Sequence, residues 1–154
     1  MVRINIIPVN LLADQHLIAE WNECFMLIGI TLKDKLPLDP PKEYTLGKGH
    51  INFFRIRLPY IFDRMLDLAN EMENRGYKPD RTKWETYYKK ITEDKIYEFM
   101  LDYIPCYKDF KIIVERITIK IKLKPNYYTY KKSVLNIEVW NKMYADFLLF
   151  HQNF

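Results

Sequence analysis

Apolar residues recur at helical spacing along much of the chain, and polar punctuation divides them into segments. Leu12, Leu17, Trp21, Cys24 and Ile28 predict an amphipathic helix beginning at Leu11, with Asn10 as its N-cap after Pro8 and Gly29 as its stop. On another face of that helix His16, Glu20 and Glu23 follow one another at i, i+4 and i+7. Residues 33–45, KDKLPLDPPKEYT, set prolines among charges and read as an exposed loop. LGKGHINFF, residues 46–54, places two glycines at a tight turn ahead of an aromatic pair. A second long helix carries Pro59 in its first turn, buries Ile61, Met65, Leu68, Ala69 and Met72, and runs to about Arg75, with Gly76 as its C′ residue. Residues 77–106 are polar, with short helical pieces expected around Lys83 to Lys90 and Glu93 to Leu101.

Two later stretches complete the pattern. Across 107–124 the period is ambiguous: RITIKIKLK alternates like a strand, while Ile113, Ile117 and Ile121 make a helical stripe. In the helical reading Arg116, Lys120 and Lys124 form an adjacent basic stripe. Ser133 is the expected cap of an amphipathic helix over 134–150, whose apolar face holds Leu135, Ile137, Trp140, Tyr144, Phe147 and Leu148.

A chain of 154 residues suits one domain with a core of its own. Cys24 and Cys106 are too few and too far apart for a disulfide framework or a zinc site, which predicts a reducing, intracellular setting. No apolar run reaches membrane-spanning length, and Arg3 and Asn5 break any signal-like start, so a soluble protein is expected. The net charge of +4 is modest; its placement carries more information than its size.

Three groups of residues hold candidate chemistry. His16, Glu20 and Glu23 have ligand-type side chains, but without a second histidine at matching spacing they read chiefly as a solvated helix face rather than a metal site. Arg116, Lys120 and Lys124, followed by PNYYTYKK, interleave cations with rings, as a nucleic-acid surface needs: charges track phosphates and rings stack on bases. The third is the α-amine. Its ordinary pKa of about 7.7–8.0 leaves on the order of a tenth unprotonated at neutral pH, a better nucleophile than an unperturbed lysine.

RIN at 3–5, LADQHLIAEWNE at 12–23, LGKGHINFF at 46–54, RG at 75–76 and DYIP at 102–105 together resemble the phage-type pyrimidine-dimer DNA glycosylases. That family, also called endonuclease V, occurs in bacteriophages and large DNA viruses. The resemblance covers residues 1–132 as one glycosylase-like domain, leaving 133–154 as a C-terminal helical extension. It implies an all-α, compact fold with the terminus threaded between helices, and so favours helix over strand at 107–124. It also implies repair of ultraviolet-damaged duplex DNA by glycosylase and AP-lyase steps, with no cofactor and no metal. The amine of Val2, exposed once Met1 is removed, would attack the sugar, and Glu23 would be the catalytic acid. Arg3 would hold phosphate. Gln15, His16, Trp21 and Asn22 would line the DNA side, Gln15 and Trp21 bordering a pocket for a flipped base. Arg116, Lys120 and Lys124 would grip the backbone, with Tyr127 and Tyr128 as the aromatic tail.

The departures are equally specific. Where the family carries arginines this chain has Asn22 and Met26, and losing two charge-assisted phosphate contacts costs several kcal/mol of binding, on the order of 1.5–3 kcal/mol each. Val2 replaces a threonine, and Tyr127 a tryptophan. Arg55, Arg57 and Lys48 are the candidates to compensate. The rival expectation is a catalytically lost relative that binds DNA or builds a virus particle, with residues 134–150 offering a face to a protein partner. Host cell or virion of a large DNA virus is the corresponding location.

Overall fold

Leu12, Leu17, Trp21, Cys24 and Ile28 are all buried, and the helix that carries the last four is the axis of the molecule. The computed structural model describes residues 2–152. Helix α1 spans Asp14–Lys33. It is packed by α2 (His50–Arg55), α3 (Leu58–Asn74) and α4 (Arg81–Thr92). Helices α5 (Tyr107–Leu123) and α6 (Ile137–His151) pack on each other. Between them β1 (Thr129–Tyr130) and β2 (Ser133–Val134) form a short antiparallel ladder, with Thr129 opposite Val134. The fold is all-α, with this ladder the one sheet among the described residues. No described helix is long and apolar enough to cross a membrane.

The ambiguous 107–124 stretch is helical because tertiary burial selects the helical stripe: Ile113, Ile117 and Ile121 all enter the core. Asp109 starts this helix, its carboxylate accepting the Cys106 N–H at 3.2 Å and the Tyr103 hydroxyl at 2.6 Å. The second long helix forms as its pattern predicts, with Pro59 at its start. Gly76, past its end, has φ +89, a conformation that favours glycine.

Three predicted boundaries differ. Asn10 caps nothing: Val9–Leu11 is a 3₁₀ turn and α1 starts at Asp14. The cause is Arg75, whose guanidinium collects the carbonyls of Leu12 (2.7 Å) and Val9 (3.3 Å) together with the Asp14 carboxylate (2.9 Å). Gly29 does not stop α1, since the burial of Leu27 and Ile28 outweighs a glycine cost of about 1 kcal/mol. The chain leaves the helix at Asp34, where Arg55 donates to the carbonyls of Asp34 (3.1 Å) and Lys35 (2.7 Å). Ser133 lies in the ladder rather than at a helix end; Asn136 caps α6, accepting the Val139 N–H at 3.2 Å.

The first residues form a buried thread that turns at Ile6, whose φ is 52. Val2, Ile4, Ile6 and Ile7 are in the core, so their backbone groups need partners out of water. Side chains from several elements supply them. Ile4 N–H donates to His50 Nε2 (2.8 Å) and Asn5 N–H to Glu20 (2.9 Å). The Ile4 carbonyl accepts from the Tyr44 hydroxyl (3.0 Å), and the Ile7 carbonyl from Arg64. Glu20 is fully buried and bound to Arg64 at 2.6 and 3.2 Å. That corrects the solvated-face expectation for the His16, Glu20 and Glu23 series: its middle member is a structural anion inside the core.

Candidate active site

Where the thread leaves the core it meets the exposed side of α1 and the basic face of α5. Arg3 and Asn5 from the thread, His16, Ala19 and Glu23 from α1, and Arg116, Ile117 and Lys120 from α5 line a cleft of about 310 Å³, closed on one side by Tyr128. Helical spacing puts His16, Ala19 and Glu23 along one stripe, and Arg116 and Lys120 along another. The lining thus carries three cations and one carboxylate.

Glu23 is half-buried, and burial pushes its carboxyl up to about 7. The Arg3 backbone N–H hydrogen-bonds to it and opposes that shift, while the nearby Glu20 charge adds to it. The bond to the Arg3 amide fixes the carboxylate one residue along the chain from the Val2 nitrogen. Val2 itself is buried. Met1 lies outside the described residues, as do residues 153 and 154.

His16 stacks at a tilt on Tyr128, ring centroids 4.7 Å apart. Burial, then the charges of Arg3 and Lys120, push its pKa down to about 4, so the imidazole is neutral at pH 7. Its Nδ1 is buried and has no hydrogen-bond partner among the described residues, a polar atom left over inside the cleft.

Tyr128 is held in place by a small clamp. Gln15 accepts the Thr129 N–H at 3.0 Å and donates back to the Thr129 hydroxyl at 3.2 Å. Asp14 accepts from the same hydroxyl (2.6 Å) and from the Lys131 and Lys132 amides (3.0 and 2.8 Å). Helix α6 and the residues just before it brace the same segment: Leu135 N–H donates to the Tyr128 carbonyl (3.0 Å), and Trp140 of α6 packs on Tyr130, centroids 5.1 Å apart. Tyr127 is half exposed beside Tyr128, with Lys124 Nζ 4.9 Å from the centre of its ring.

The remaining predicted positions fall elsewhere. Trp21 is buried edge-on against Phe25, centroids 5.0 Å apart, and does not line the cleft. Asn22 is exposed on α1 and lines, with Met26, a second depression. Arg55 and Arg57 compensate for nothing at the surface, because both are buried and spoken for. Arg55 closes the end of α1, and Arg57 lies 3.9 Å over the Phe53 ring while donating to the Phe53 carbonyl. Lys48 is exposed on the Gly47–Gly49 turn. No group of three His, Cys, Asp or Glu side chains suits a metal ion among the described residues.

Several groups on which the arrangement depends are not candidates by sequence pattern. Asp14, Tyr44, His50 and Arg64 position the thread and the tyrosine segment without lining the cleft. His50 had a signal in the GKGH stretch, but a buried histidine's partner 46 residues away has none in sequence spacing. A family profile described as pyrimidine dimer DNA glycosylase matches residues 1–85, which contain the thread, α1, α2, α3 and the start of α4.

Proposed function

The chain belongs to the pyrimidine dimer DNA glycosylase family, and on that premise we propose that it excises cyclobutane pyrimidine dimers from duplex DNA and cuts the resulting site as an AP lyase. The observation that carries this reading is the hydrogen bond from the Arg3 amide to Glu23, which keeps a carboxylate of raised pKa beside the start of the chain at the edge of a cationic cleft.

With Met1 removed, Val2 presents a secondary-carbon amine whose nitrogen attacks C1′ of the 5′ pyrimidine nucleotide. The C1′–N bond breaks, the base leaves with that electron pair, and loss of the amine protons and ring opening give an imine between Val2 and C1′. As an anion, Glu23 stabilises the cationic sugar and the protonated imine. It then takes or relays the C2′ proton, and the C3′–O bond breaks with its electrons going to the departing phosphate. A carboxyl titrating near 7 suits both accepting and returning a proton at neutral pH.

Arg3, Arg116 and Lys120 hold phosphates around the reacting sugar, with Lys124 extending the track and Tyr127 and Tyr128 stacking on the strand. The neutral His16 and Gln15 stand behind the rings. Extruding a base from the stack costs a few kcal/mol, which the ring and phosphate contacts offset. The domain boundary drawn at 132/133 belongs to the same reading, with α6 bracing the aromatic segment from outside the catalytic half.

The test is borohydride trapping on an abasic-site duplex, using protein whose intact mass shows Met1 removed. A covalent adduct is expected, and Glu23→Gln should still form it while failing to cut. No adduct from correctly processed protein would overturn the enzyme reading and leave the rival, a non-catalytic DNA-binding relative.

A further inference from the structure

The outer face of α1 does not end at Glu23. Starting at the adjacent Asn22, the stripe Asn22, Met26 and Ile30 lines a second depression of about 570 Å³ that α4 closes from the other side with Lys83 and Tyr87. Lys83 Nζ lies 4.5 Å from the centre of the Phe25 ring and 5.8 Å from that of Tyr87, so aromatic faces fix an exposed cation over the groove. Lys90 Nζ also lies 5.8 Å from the centre of the Tyr87 ring. Lys33 adds a further charge near the end of α1, against the single carboxylate of Asp34.

We infer that this α1–α4 groove is a second phosphate-binding track for the duplex, with Lys83 as its principal contact. The inference rests on the DNA reading of the cleft. Glu23 to Ile30 is about 10 Å along the helix axis, close to the rise of three nucleotides of one strand. A strand whose sugar meets Glu23 therefore reaches the groove with its neighbouring phosphates. Met26 and the two rings supply an apolar floor for the deoxyribose, and Lys83 supplies charge beside the middle of α1, which offers only Asn22 and Met26 there. The principal cation, Lys83, comes from α4, and α1 adds only Lys33 at its last turn.

The experiment measures anisotropy with a duplex of about 25 base pairs carrying a tetrahydrofuran abasic analogue, which cannot form the imine. Titrations at about 50 and about 200 mM salt compare the parent, Lys83→Gln, Lys120→Ala, and Asn22→Arg in the Lys83→Gln background. Lys83→Gln should bind about fivefold more weakly at the lower salt. That loss should shrink ~3.5-fold at the higher salt, because one fewer counterion is released. Asn22→Arg, placing a guanidinium in the same groove, should restore both affinity and salt slope. The idea is overturned if Lys83→Gln binds like the parent while Lys120→Ala is weakened, in which case DNA uses the cleft alone. It is also overturned if affinity falls with an unchanged salt slope, which would make Lys83 a packing residue. If neither Lys83→Gln nor Lys120→Ala alters binding, the DNA reading of the cleft falls with it.

Discussion

Glu20→Gln tests whether the buried ion pair holds the terminal thread. Glu20 is fully buried, and its two oxygens serve three donors: Asn5 N–H at 2.9 Å and two Arg64 groups at 2.6 and 3.2 Å. Glutamine keeps the shape but only one acceptor oxygen, and its NH₂ faces a guanidinium or an amide that can only donate. The buried Arg64 charge then has no counterion. Removing one member of such a pair costs about 3–5 kcal/mol, a large part of a domain's total of roughly 5–15 kcal/mol.

Arg64→Met added to Glu20→Gln distinguishes this cause from a general packing loss. The double variant no longer strands a cation; its remaining cost is the Ile7 carbonyl losing its donor, about 1–3 kcal/mol, and an amide at position 20 with fewer partners. The double should therefore be more stable than Glu20→Gln alone. Urea unfolding with matched m-values measures both, and hydrogen exchange at the Asn5 amide reports the thread directly. A Glu20→Gln loss below about 1 kcal/mol, or a double variant whose loss is the sum of the two singles, would refute the argument.

Two pH experiments follow from the same geometry. Burial raises the Glu23 carboxyl to about 7, so single-turnover strand cleavage that needs the anion should climb through pH 7 and keep rising as the amine, ordinarily near 7.7–8.0, loses its proton; a rate flat from about pH 5.5 to 7.5 would contradict the assigned role. His50 accepts from Ile4 on Nε2, so its Nδ1 carries the proton toward the Thr45 carbonyl at 2.8 Å, and burial lowers its pKa. The unfolded chain then binds the proton more readily: the stability His50 contributes is full above the ordinary value of about 6.5 and declines as pH falls below it. The parent should thus lose more stability than His50→Gln between pH 7.5 and 5.5, and equal losses in urea midpoint would remove the explanation.

Local patterning carried the helices well. The α3 stripe, its proline start and its Gly76 end are short-range features, and each was readable from neighbours three or four residues apart. Boundaries failed where a distant side chain intervened. Arg75, more than sixty residues away, decides where α1 begins, and Arg55 decides how the chain leaves it. The 107–124 conflict could not be settled by period because both patterns are present; only burial of the isoleucine stripe chooses. At the site, the resemblance named Arg3, His16, Glu23, Arg116, Lys120 and Tyr128 as members, and the fold places all six around one cleft. It could not show that Glu20 differs in kind from Glu23, since the two acids are three residues apart on one helix and differ only in what covers them. Nor could sequence distinguish Arg55 and Arg57, buried and occupied, from an available surface cation such as Lys83.

The division of labour between the two acids follows from the geometry of the thread. In an extended chain successive backbone groups point to opposite sides, so the amides of residues 3 and 5 face one way and that of residue 4 the other. The contacts keep that alternation: Arg3 and Asn5 donate to Glu23 and Glu20 on α1, while Ile4 donates to His50 on α2. The thread runs antiparallel to α1, its two-residue step of about 7 Å set against three residues of helix, about 4.5 Å. Glu20 meets it inside the core, where Arg64 neutralises the carboxylate and fixes it. Glu23 meets it at the mouth, where no buried guanidinium pairs with it among the described residues and burial makes it hold its proton up to about pH 7. One repeated contact thus anchors the chain at its inner end and leaves a titratable carboxylate at its outer end. On the proposed mechanism, the rigidity of the first contact is what allows the second to hold a reactive terminus in register with a sugar.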